Sequence, residues 1–210
     1  MKDILIVGSG GFAKEVGFLI DGINKNNPEW NLLGFVDSNV GESNGKYKIV
    51  HDDAWLLELD DEIHVVIAVG VPELRKRLAD KFMTNVKIKY PNLIHPNSVG
   101  DWNNLKMGKG NIVCGGNQFT TDIEIGNFNV FNLSGTVGHD TKIGNFNVIN
   151  PSVNISGGIE MGNEILVGTG AQILQYITIE SGSIIGAGAV VTKNITEKGV
   201  YAGIPAKRIK

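Results

Sequence analysis

The 210-residue chain has one cysteine, Cys114. A single thiol closes no internal disulfide and builds no cysteine zinc cluster, so no metal site is expected and a reducing compartment is the simplest reading. Charge of one sign is also missing. Nineteen basic residues stand against 22 acidic ones, a net charge of -3, which offers no global field for gripping nucleic acid. Long hydrophobic runs are absent from the start of the chain, MKDILIVGSGG, where about five apolar residues meet glycines, too few for a signal segment or a membrane span. A cytoplasmic protein with no membrane insertion is expected. What the chain has in excess is glycine, 28 of 210 residues, about twice average usage. With 20% charged and 42% hydrophobic residues it reads as an ordinary folded protein, not a disordered one.

Residues 1–90 alternate short apolar runs with longer mixed segments. DILIVG (3–8), LLGFVD (32–37) and IHVVIAVG (63–70) read as buried parallel strands, and KIKYP (87–91) as a fourth. Segments 11–24, 52–59 and 72–82 between them suit helices, with Pro72 placed for a first helical turn. This order predicts a small α/β unit with a parallel sheet. Gly8-Ser9-Gly10-Gly11-Phe12-Ala13 fits G-x-G-x-x-A between a strand and a helix, where glycines admit a diphosphate and the helix start offers free N–H groups. The bland reading is a turn that closes strand onto helix.

From Met107 the pattern has a period of six. Met107, Val113, Phe119, Ile125, Phe131, Val137, Ile143, Ile149, Ile155, Met161, Val167, Ile173, Ile179, Ile185 and Val191 are all apolar, a coincidence on the order of one in a few hundred thousand by chance. Gly or Asn follows most of them, suggesting corners that need positive φ. Three six-residue units make a triangular coil and stacked coils share a core, so residues 91–210 are expected to form a parallel β-helix of five coils. The 18-residue spacing then stacks Asn111, Asn129 and Asn147 as an asparagine ladder.

With GHDTKIG at 138–144, NPSVNISGG at 150–158, IGAGAVVTKNI at 185–195 and AGIPAK at 202–207, the chain resembles the hexapeptide-repeat acyltransferases. Among them it is similar to the PglD-type nucleotide-sugar N-acetyltransferases and their NeuD-type sialic acid O-acetyltransferase relatives. The resemblance implies a left-handed β-helix, a homotrimer with sites between subunits, acetyl-CoA as co-substrate and a nucleotide-sugar partner. The expected reaction is N-acetylation of a UDP- or dTDP-linked 4-amino-4,6-dideoxy sugar in surface-glycan biosynthesis. Sugar O-acetylation and a non-catalytic binding module are the alternatives.

Acetyl transfer to an amine needs a proton acceptor and a donor for the oxyanion. Of the four histidines only His139 lies in the repeat, in a column of mostly polar residues that faces outward. It is the candidate general base, with Asp140 to orient it. Gly157, one coil later, leaves space above the ring, and the resemblance implies that its N–H meets the acetyl carbonyl. It also implies that Asn132 binds the sugar, that Asp37 and Ser38 join Gly8, Gly10, Gly11 and Phe12 around the nucleotide, and that Thr169, Ala187 and Gly188 contact pantetheine. Lys207 and Arg208 are read as mobile cations for the CoA phosphates, or as solvated charge. Such sequences often carry histidine where this chain has Phe12 and Val148.

Overall fold

The computed structural model describes residues 1–210, the side chain of residue 26 excepted. Its first part runs β1 (Lys2–Val7), α1 (Gly11–Asn26), β2 (Trp30–Val36), β3 (Ser43–Asn44), β4 (Tyr47–His51), α2 (Asp53–Glu58), β5 (Ile63–Ile67), α3 (Pro72–Phe82) and β6 (Ile88–Lys89). These strands form one sheet in the order β3-β4-β2-β1-β5-β6. All neighbours are parallel except the β3–β4 hairpin. Central β1 is buried on both faces, which is why it reads as an unbroken apolar run. The hairpin is the element that the sequence pattern did not reveal. Only Ile49 of β4 is buried, so this strand near the sheet edge carries no continuous apolar signal.

From Leu93 onward short strands, mostly of two residues, wind through triangular coils and build three sheets, parallel except for the closing pair Val200–Ala202 and Lys207–Arg208, the faces of a prism. Ile125 pairs with Ile143, Phe131 with Ile149 and Val137 with Ile155, the expected 18-residue register. The ladder residues from Val113 to Val191 point inward and are at most 4% exposed. The prism begins one coil before the six-residue count does. Ile94 pairs with Val113 and Gly100 with Phe119, an offset of 19 residues. One additional residue in the turn before Met107 throws a backward count in sixes out of phase.

The corners correct the expectation for glycine. Left-handed backbone occurs three residues after every apolar position but the last, at Asp122, Phe128, Ser134, Asp140, Phe146, Ser152, Glu164 and Tyr176 as well as at glycines such as Gly170. The glycines directly after the apolar positions serve close approach instead. A Cβ on Gly126 would stand 2.6 Å from the Gly144 carbonyl oxygen and 2.6 Å from Asn145 Oδ1 of the next coil.

The asparagine ladder is internal. Asn129 N–H donates to Asn111 Oδ1 at 2.8 Å and Asn147 N–H to Asn129 Oδ1 at 2.8 Å, with all three residues fully buried. Each amide thereby satisfies a backbone group that would otherwise be buried without a partner.

The first prism face docks on the α/β unit. Leu93, Ile112, Val130 and Val148 share one core with Ile4, Ile6, Leu19 and Ile20, while stacked Phe128 and Phe146 join Leu5, Val7 and Phe82 in another. Between the two parts lies Arg75, fully buried. Its guanidinium donates to the carbonyls of Ile67 and Val69 on one side and of Phe128 and Gly110 on the other. Burial pushes its pKa down to about 9.

Candidate active site

His139 stands at the corner between the second and third prism faces, just after the strand Thr136–Val137. Its Nδ1 lies 2.7 Å from Asp140 Oδ2. A carboxylate only accepts, so Nδ1 carries the proton, and Nε2 is the ring nitrogen left free of this contact. The corner requires a left-handed residue at position 140, and aspartate tolerates that conformation at φ 57°. The carbonyl of His139 accepts from Gly158 N–H at 2.7 Å, which ties this corner to the next coil.

Gly157 lies directly beyond the ring. A Cβ there would be 2.6 Å from Nε2, so the ring occupies room that any larger residue would take. Among the described residues the Gly157 N–H has no partner. At the third corner, by contrast, the N–H groups of Asn127 and Asn145 are taken by asparagine side chains of the next coil. One coil farther, Leu174 and Tyr176 are 41% and 73% exposed. They form an apolar wall beside the glycine step, which sequence reasoning missed because both positions otherwise hold polar or small residues.

The second grouping is in the α/β unit. Gly8 has φ 100° at the end of β1, where a Cβ would meet the Ala68 carbonyl oxygen at 3.1 Å, while Gly10 and Gly11 border open space. No side chain caps α1, so its first N–H groups have no side-chain partner. Asn44, from the unforeseen hairpin, secures this loop by donating to the Ser9 carbonyl at 2.5 Å. Asp37 accepts from the Ser9 hydroxyl at 2.7 Å and from Ser38 N–H at 2.7 Å. Burial alone would raise its pKa, but these hydrogen bonds outweigh that effect and hold the carboxyl below its ordinary range. Gly8, Asp37 and Ser38 border a cleft of about 590 Å³ that continues between α2 and α3. Asp53, Leu57, Leu78 and Lys81 line its farther part. No sequence signal marked them, because helix docking brings them together.

Residues 3–82 match the PglD N-terminal domain. Solved structures extend the likeness over both halves. PerB from Caulobacter crescentus, solved in complex with CoA and GDP-perosamine, is 27% identical with a TM-score of 0.90, covering 100% of this chain and 98% of that one. The acetyltransferase domain of PglB from Neisseria gonorrhoeae in complex with acetyl coenzyme A is 27% identical with a TM-score of 0.90, covering 99% of each chain. Along its whole length the chain is similar to acetyltransferases of the PglD type. WeeI from Acinetobacter baumannii AYE is similar at 25% identity, with a TM-score of 0.88 and full coverage of both chains. Superposition at this level requires one hand of winding, so the β-helix is left-handed. Comparison with curated protein sequences gives no match.

Against the PglD-type pattern, Val148 is 2% exposed and packed in the core shared by the two halves, and Phe12 packs against that same core. Both replacements for histidine are therefore absorbed by packing. Asn132, Thr169, Ala187 and Gly188 lie at the corner between the first and second faces, across the second face from His139 and Gly157. A single copy does not bring these groups together. Arg208 departs from the expectation of a mobile cation. It belongs to a strand paired with Val200–Ala202, and it bonds Glu197 Oε2 at 2.6 Å and the Lys198 carbonyl at 3.1 Å. Lys207, on the same strand, is exposed. No helix among the described residues is long and apolar enough to cross a membrane.

Proposed function

We propose that the chain transfers acetyl from acetyl-CoA to the amine of a nucleotide-linked 4-amino sugar of the 4,6-dideoxy class. The observation that carries this reading is the corner where His139, oriented by Asp140, lies against Gly157, whose N–H is unpaired among the described residues. The sugar amine attacks the acetyl carbonyl, and Nε2 of His139 takes its proton as the C–N bond forms. The Gly157 N–H donates to the oxyanion. Collapse of the tetrahedral species breaks the C–S bond and CoA leaves as thiolate. Asp140 accepts from Nδ1 throughout and stabilises the imidazolium.

The working form is a homotrimer, in which a neighbouring copy sets its first corner against the His139 corner. The separation of Asn132 and Thr169 from His139 within one copy supports this arrangement, as does the exposure of the ring, 53% for the side chain. PerB, solved with CoA and GDP-perosamine, supports the substrate class. The chain acts in the cytoplasm, where acetyl-CoA is supplied.

The test is thiol release from acetyl-CoA over a panel of nucleotide-linked amino and hydroxy sugars. His139→Ala should keep its fold and assembly and lose on the order of a hundredfold in turnover. Full activity of that variant, or transfer confined to hydroxy sugars, would overturn the assignment.

A further inference from the structure

The cleft beside Asp37 bears on which base the nucleotide carries, an inference that rests on the nucleotide-sugar reading above. Its inner part is a slot between α2 and α3, walled by Ala54 and Leu57 on one helix and by Leu74 and Leu78 on the other. The three leucines are half-buried, which suits the faces of a flat ring. At the rim Lys81 Nζ donates to Asp53 Oδ2 at 2.8 Å. The other Asp53 oxygen has no partner among the described residues. Asp37, at the end of β2, is placed as the ribose acceptor, and Asp52 already accepts from Trp55 N–H to cap α2. The edge of the base therefore meets one ammonium donor beside one accepting carboxylate.

We propose that this slot reads guanine, with Lys81 donating to O6 and Asp53 accepting from N1–H and the 2-amino group. Guanine alone among the common bases places an acceptor oxygen next to two adjacent donors. Uracil and thymine have one donor between two carbonyls, so their second carbonyl would face the Asp53 carboxylate. Adenine and cytosine offer an amino group beside a ring acceptor, which leaves the carboxylate opposed by a lone pair. A site built from charged groups rejects such mismatches strongly, because the unpaired group loses its water without gaining a partner. The uridine or thymidine nucleotide expected from the family resemblance thus gives way to a guanosine diphosphate sugar.

Isothermal titration of the intact protein with GDP, UDP, dTDP and ADP tests the assignment. GDP should bind tightest, by on the order of tenfold or more. Asp53→Asn should weaken GDP by a similar factor and strengthen xanthosine diphosphate, whose 2-oxygen accepts from the new amide, a reversal that mere structural damage would not produce. Lys81→Met, at an exposed position, should weaken GDP and leave ADP unchanged. If UDP or dTDP binds as tightly as GDP, or Asp53→Asn leaves the preference intact, the guanine assignment fails while the nucleotide-sugar reading stands. If none of the four diphosphates binds, both fail.

Discussion

At the scale of single residues, the His139 corner depends on what is absent as much as on what is present. His139 keeps its position because position 157 carries no side chain, with a Cβ there falling 2.6 Å from Nε2. Gly157→Ala should therefore push the ring off its present position. The expected outcome is a fall in kcat on the order of a hundredfold, since a misplacement of about 1 Å carries that cost. The melting temperature should barely move, because the displaced ring swings into solvent. Steady-state kinetics beside a thermal melt would check this, and an unchanged kcat would show that the ring position does not matter. His139 stands out in the sequence as the lone histidine in a regular repeat. The Asp53–Lys81 pair was not, since its partners lie 28 residues apart on two different helices.

At the scale of elements, the repeat uses glycine for two separate physical purposes. Gly170 has φ 71° and nothing within 4 Å of an added Cβ, so Gly170→Ala should cost only the left-handed penalty of ~1 kcal/mol. Gly126 lacks a left-handed φ, yet its added Cβ would collide with the backbone of the following coil. Gly126→Ala should cost more, ~2–3 kcal/mol or above, because neither coil can move without breaking its ladder. Urea denaturation of the two variants would order these costs, and equal values would refute the distinction. The hexad itself was plain in the sequence, but these two roles were not. Composition counts glycines, while only the stacking distance shows which of them face the next coil. The early coil was hidden for a related reason, the one-residue insertion before Met107.

At the scale of the whole molecule, the two halves are joined by a shared apolar core and by Arg75. Replacing Arg75 with methionine keeps much of the side-chain volume but leaves the carbonyls of Ile67, Val69, Phe128 and Gly110 without this donor. Each such loss costs about 1–3 kcal/mol, so the variant should be destabilised by ~3 kcal/mol or more. Denaturant titration would measure it, and a change under ~1 kcal/mol would show that water or other donors take over. Nothing around position 75 in the sequence, PELRKRLADKF, separates this arginine from Arg77 two residues later. Arg75 is buried because it lies on the inner side of α3, where the helix meets the prism.

What the amino-acid sequence determined by itself was whatever repeats or is local. The six-residue period specified a three-sided helix, and the alternation of apolar and mixed segments specified an α/β unit. These signals survive in one dimension because each arises between residues at a constant spacing. Only the tertiary structure decided that Arg75 joins the halves and that Asp53 meets Lys81 at a cleft. Those contacts depend on how rigid elements dock, and the free energy of docking is spread over many buried side chains with no fixed spacing along the chain.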